Sequence, residues 1–361
     1  MKTLSFALAA FLLFSKAAYA GENPGKEKSK SVIQSKAAPC VPGTATADID
    51  ISNVRAAILT NGNVWWNPVS TRYEVPKGSG MNSMSAGAIW IGGIDASSQI
   101  HLAAQTYGQN GNDFWPGPLD SVTGSTDASL CLAFDRIWKV SRAEVIDFIQ
   151  NGTTTPDILN WPAAGNVNFN QVNNRAPFHD VNGDGIYDPA SGDYPGYDIA
   201  GSNTDCCDKL NGDQTLWWCF NDVGNIHASG GLPLGLEVQA QGFAFNAGIT
   251  AIDNATFYQF KLINRSNISF NDCYFGWWAD PDLGNDADDF VGCDVGRSLA
   301  YCYNGDSFDD TSHGGYGLNP PAVGIDLLQG PLADPNDGID NDRDGVTDEA
   351  GEQVLMSKFI C

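Results

Sequence analysis

The chain has 361 residues, of which 17% are charged, and its 19 basic against 43 acidic side chains give a formal net charge of −24. Residues 1–36 hold six of the basic side chains and only two acids, which leaves −28 on the remainder. A field of that sign repels phosphate backbones, whose binding needs Lys and Arg to release counterions; nucleic acid is excluded as a partner class, and divalent cations become the natural one.

In chain order, Lys2, an apolar run from Leu4 to Phe14 and then Ala18-Tyr19-Ala20 follow the pattern of a secretory signal peptide, with cleavage expected after Ala20. The run is shorter than the roughly 20 apolar residues of a transmembrane helix, and no later stretch reaches that length, so a secreted or surface-attached mature chain is expected. Residues 21–45, with Lys26, Lys28, Lys30 and Lys36 and few large apolar side chains, read as a flexible leader. All nine cysteines, from Cys40 to Cys361, lie beyond the signal peptide, where disulfides are the default. The odd number leaves at least one unpaired, no Cys/His spacing points to zinc, and the adjacent Cys206 and Cys207 are expected to bond to different partners.

From about 46 to 330, abundant Gly, Asn, Asp and aromatic residues are the mixture of short strands joined by turns. The expected fold class is all-β: an antiparallel β-sandwich-like body of one or two units, with long Asp/Gly-rich loops and one or two short helices. Ser141 and Glu144 form a capping box ahead of Val145, Ile146, Phe148 and Ile149, and Thr155-Pro156 starts a second turn of helix. Leu236 to Gly248 and Ala255 to Asn264 alternate apolar and polar residues, which predicts antiparallel strands with one wet face.

Three tryptophan pairs occur, Trp65-Trp66, Trp217-Trp218 and Trp277-Trp278. Neighbours on a strand face opposite ways, so the two rings of a pair are expected between packed layers; the alternative is an exposed platform for sugar rings or protein partners. Two pairs belong to an echo, WWxxxDxGN at 217–225 and at 277–285, each reading as a strand that leaves into an Asp-Gly turn.

Residues 180–188, Asp-Val-Asn-Gly-Asp-Gly-Ile-Tyr-Asp, place oxygen side chains at loop positions 1, 3, 5 and 9 and glycine at 6. Calcium takes six to eight hard oxygens, alternate residues of a tight loop can turn inward together, and the glycine lets the backbone bend so that residue 7 offers its carbonyl. The expected ligands are Asp180, Asn182, Asp184 and Asp188, with the Ile186 carbonyl. Residues 340–348 repeat the pattern and give Asp340, Asp342, Asp344 and Asp348, with the Val346 carbonyl. Position 12 of the first copy is Ser191 rather than Glu, and no long amphipathic helices flank either loop, so these are not EF-hands. Both resemble thrombospondin type 3 and dockerin-like calcium loops, a likeness of about a dozen residues each. A third acidic stretch, Asp280, Asp282, Asp286, Asp288 and Asp289, lacks the fixed spacing and is as readily a solvated loop.

The chain has no HExxH, GxSxG, Walker or GxGxxG arrangement, and its four histidines, His101, His179, His227 and His313, are isolated in sequence. The segments NVRAAILTNGNVWW, AIWIGGIDASSQIHLAAQTYGQNGNDFWPGPLD, FHDVNGDGIYDPASGDYP and GWWADPDLGNDADDFVGCDVGRSLAYCYNGD resemble the N-terminal region of large Bacteroidetes surface proteins exported by the type IX secretion system. The likeness runs from about residue 50 onward. It implies a β-rich protein of the outer surface with adhesive or structural character, supplies no catalytic residue, and makes Asp120-Ser121-Val122 a glycosylation tripeptide. Against that pattern the chain stops at Cys361 without a sorting domain, which reads as a truncated element after residue 351.

The expectation is a secreted or cell-surface structural or adhesion protein, with 331–350 as a calcium-loop connector and surface glycans or other surface proteins as further partners. Its first rival is a carbohydrate-binding or carbohydrate-cleaving module using exposed Trp and acidic loops, since two well-placed carboxylates suffice for glycoside hydrolysis. A metal-dependent hydrolase built on Asp286 and Asp288 is the second.

Overall fold

The computed structural model describes residues 40–66, 69–169, 176–201, 209–334 and 336–361. The expected signal peptide, most of the expected leader and the Cys206-Cys207 pair lie outside them. Among the described residues strands take up 34% and helices 12%, with four short helices and several antiparallel sheets, so the fold is all-β and sandwich-like.

Two sheets face each other. The first has seven strands, Thr46–Ile49, Arg55–Leu59, Asn63–Val64, Tyr73–Glu74, Ala86–Asp95, Ile100–Ala104 and, from far downstream, Phe270–Asp280, which pairs antiparallel with Ala86–Asp95. The second has five, Trp115–Pro116, Trp138–Ser141, Gln214–Asn221, Leu236–Ala244 and Phe257–Asn264. Between them lies the main core, where Ile49, Ile58, Val64 and Ile89 of the first sheet meet Leu216, Trp218, Phe220 and Val238 of the second. The approach is close: a Cβ on Gly242 would stand 2.6 Å from Cδ1 of Ile58 and 3.1 Å from Cδ1 of Ile49, so the isoleucine tips of the facing sheet would have to shift to admit one.

The period-2 alternation of strands explains the tryptophan pairs. Trp218 points into the main core while Trp217 enters a second cluster on the back of the five-stranded sheet, with Trp138, Trp161, Tyr187, Tyr194 and Tyr197. Trp277 packs against the main core while Trp278 faces the opposite side and stacks on Trp90, ring centroids 6.4 Å apart. Trp66 and Trp277 are half-buried and the other eight tryptophans are buried, so no pair forms an exposed platform.

The second cluster exists because helices and loops cover the back of the five-stranded sheet. Arg142–Asn151 starts at the expected capping box: Ser141 Oγ accepts from Glu144 N at 3.2 Å, and Glu144 Oε2 accepts from Ser141 N at 2.7 Å. Pro156–Leu159 starts at Thr155 as expected, while Ala128–Ala133, capped by Asp127, and Thr250–Asp253 were not anticipated.

One strand expectation is corrected. Leu236–Ala244 pairs with Phe257–Asn264, but its polar face is dry: Glu237, Gln239 and Gln241 are 0%, 7% and 6% exposed. Glu237 accepts from Leu119 N at 3.1 Å, from Arg265 Nε at 3.2 Å and from Gln239 Nε2 at 2.6 Å, so partners remote in sequence replace the water that alternation implied.

A third sheet, Asp289–Asp294, Leu299–Asn304 and Ala322–Asp326, rests on the edge of the core through Val323 and Ile325. Residues 336–356 return across its 295–298 turn, where Arg343 donates to the carbonyls of Val295 and Met356, and Met356 N donates to Ser298 Oγ at 3.2 Å. Past the isolated bridge of Leu332 with Gln353, the chain to Cys361 holds no strand. Cys40 is bonded to Cys131, and Cys273, Cys293, Cys302 and Cys361 are free thiols.

Candidate metal centre

The two acidic loops repeat in hydrogen bonding as well as in sequence. The first Asp of each accepts from the glycine amide five residues on, Asp180 Oδ2 from Gly185 at 2.7 Å and Asp340 Oδ2 from Gly345 at 3.0 Å. The fifth-position Asp accepts two residues on, Asp184 from Ile186 N and Asp344 from Val346 N, both at 2.8 Å. Gly185 and Gly345 have φ of 78° and 98°, which a side chain would strain.

Beyond that shared frame the loops differ. In the first, Asp180 Oδ1 also takes the Gly183 amide at 2.7 Å, and these backbone donors, Gly185 foremost, hold its carboxyl below the usual range. Asn182 and Asp184 bond each other, and Asp188 turns away to accept from Ala190 N and Ser191 Oγ. The fully buried Asp193 seats this loop, taking Val181 N at 2.8 Å and Asp188 N at 2.9 Å.

In the second loop the carboxylates converge. Among the described residues, the groups of three with oxygens all within 4.8 Å of one another are Asp340, Asp342 and Glu352, and Asp342, Asp344 and Glu349. Asp340 Oδ1 and Glu349 Oε2 are buried without a hydrogen-bond donor, and Glu352 is only 5% exposed. A backbone N–H pulls the Glu349 carboxyl down, but burial and the charges of Asp344, Glu352 and Asp342 outweigh it and push the group up. The loop's own cation, Arg343, is spent on the two carbonyls of the sheet turn.

Of the residues expected from sequence, the structure therefore brings together Asp340, Asp342 and Asp344. Asp348 instead accepts from Gly338 N at 3.1 Å, and Asp180, Asp184 and Asp188 form no such triad. Glu349 and Glu352 were missed, because they enter from the chain returning past the loop rather than from the alternating repeat. Comparison with protein-family models, curated proteins and solved structures finds no match.

The third acidic stretch is divided among several surroundings. Asp282, bonded by Ser85 Oγ, and Asp286 line a cavity of 320 Å³ together with Thr71, Asn82 and Ser85. Asp280 is bonded by the Tyr107 hydroxyl, and Asp288 accepts from Asn285 Nδ2 at 3.1 Å. Burial, reinforced by the charges of Asp282 and Asp286, pushes the Asp280 carboxyl up to about 7. Burial likewise raises Asp289 to about 7; its Oδ2 takes Leu283 N at 2.7 Å, while the Cys302 thiol is the group facing the carboxylate from the next strand.

Proposed function

We propose that the protein is a calcium-stabilised structural or adhesive module of the cell exterior, in which the metal acts as a staple rather than a catalyst. The observation that carries this reading is the gathering of five carboxylates, Asp340, Asp342, Asp344, Glu349 and Glu352, within thirteen residues, two of their buried oxygens lacking any donor. Like charges at that spacing repel, and a hard divalent cation supplies what the orphaned oxygens lack. The same donor frame in 180–188 supports Asp180, Asn182, Asp184 and the Ile186 carbonyl as ligands of a second ion, with Asp188 requiring a change of rotamer. The signal-peptide pattern, the Cys40–Cys131 bond and the likeness to type IX surface proteins all support an exported location.

The test is a thermal melt of the mature chain with calcium, with magnesium and with chelator. A cation that binds only the folded state at a hundred times its dissociation constant adds about 2.7 kcal/mol. Calcium is expected to raise the midpoint more than magnesium, and Asp342→Asn, which touches both triads, to remove most of the rise. A midpoint indifferent to chelator would overturn the reading.

A further inference from the structure

The sheet Asp289–Asp294, Leu299–Asn304 and Ala322–Asp326 keeps Cys302, Val323 and Ile325 on its core side. Its antiparallel registers then put three rows on the other face: Phe290–Tyr303–Ala322, Gly292–Tyr301–Gly324 and Asp294–Leu299–Asp326. Phe290, Tyr301 and Tyr303 are 56%, 37% and 44% exposed, in a molecule that leaves no tryptophan exposed.

The three rings form a strip. Phe290 and Tyr303 have centroids 6.0 Å apart with planes 28° from parallel, and Tyr303 and Tyr301 are 6.1 Å apart at 37°. Glycines let two of them lie down. A Cβ on Gly292 would stand 2.6 Å from Cζ and the hydroxyl oxygen of Tyr301, and one on Gly305 would stand 2.6 Å from Cε2 of Phe290. Each of these rings rests across bare backbone and offers its other side to solvent.

We propose that this strip is a binding platform for a neutral, extended polysaccharide. The C–H faces of successive pyranose rings stack on Phe290, Tyr303 and Tyr301, and sugar hydroxyls donate to Asp294 and Asp326 at one end of the strip. Size and charge select that occupant. The rings expose on the order of a few hundred Å², against roughly 800 Å² per partner in a standard protein interface. An open strip suits a polymer lying along it, whereas small molecules need a concavity. The net charge of −24 repels acidic polymers. The platform rests on strand register and ring geometry, so it stands apart from the calcium reading.

The experiment is affinity electrophoresis of the mature chain through gels containing hydroxyethylcellulose, laminarin, galactomannan or soluble starch, with hyaluronate and an oligo-arginine peptide as charged comparisons. At least one neutral polymer is expected to retard the protein and hyaluronate is not. Tyr301→Ala combined with Tyr303→Ala should weaken retention about tenfold or more. Gly292→Val, which keeps the tyrosine but lifts it from the sheet, should also weaken it, with melting curves showing that each variant is folded; Phe290→Ala replaces any variant that is not. Retardation by no neutral polymer, undiminished retention in the folded ring variants, or binding of the oligo-arginine peptide alone overturns the proposal. Retention in the gel does not depend on a shift of the melting midpoint by calcium, so the platform and the metal staple stand or fall separately.

Discussion

At the scale of single residues, much of the acidic excess is structural. Asp222 is fully buried and accepts from the backbone amides of Leu234, Gly235 and Leu236; Asp113 takes Ala104 N and Ser229 N; Asp309 takes Asn285 N and Tyr316 N. Each fastens a loop that carries its own unsatisfied donors. Burial raises Asp222, and in Asp280 and Asp289 burial and neighbouring carboxylates push the carboxyl up to about 7 from the ordinary 3.8. A group raised in the folded state adds stability that is complete below its unfolded value and is lost as pH climbs through the folded one. Carboxyls held low, such as Asp310 at about 2, act the opposite way and fail only in stronger acid. In chelator, the melting midpoint should therefore fall between pH 5 and pH 8, and Asp280→Asn should flatten that slope; an unchanged slope would count against the assignment. The alternation of Asp340, Asp342 and Asp344 was legible in sequence because it is local. Glu352 was not, since it falls just past a twelve-residue template and joins the others only after the chain turns back.

At the scale of elements, local signals proved reliable and coverage did not. The capping box at Ser141 and the Thr155-Pro156 start are written within four residues, and both helices begin there. The strands Leu236–Ala244 and Phe257–Asn264 follow from alternation, but alternation cannot show what lies over the polar face. Glu237 is the informative case, fully buried and paired with Arg265, whose side chain is 20% exposed. Removing one partner of such a pair leaves the other desolvated and uncompensated, so Glu237→Ala should lower the unfolding free energy by about 3 kcal/mol or more in denaturant titration. A loss below about 0.5 kcal/mol would mean that water reaches this face after all. The WWxxxDxGN echo was equally legible as two strands leaving into turns, yet its carboxylates differ in fate: Asp222 is satisfied by three amides, whereas Asp282 meets the Ser85 hydroxyl beside an open cavity.

At the scale of the whole molecule, a long-range strand and the Cys40–Cys131 bond close the sandwich. Phe270–Asp280 completes the sheet begun by the first six strands, and the Cys40–Cys131 bond ties residues 91 apart. A bridge across a loop of that length restricts the unfolded chain most, and replacing both cysteines by serine should lower stability by about 2–5 kcal/mol with the slope against denaturant increased. No such loss would place the bond outside the folding unit. The bridge also fixes how the molecule carries load. Tension arriving at residue 40 crosses the sulfur atoms directly to the helix Ala128–Ala133, so every strand from Thr46 to Pro116 is bypassed and cannot be peeled away from that end. The extensible length of the protein is shortened accordingly, and a reductant, rather than greater force, is what would release it.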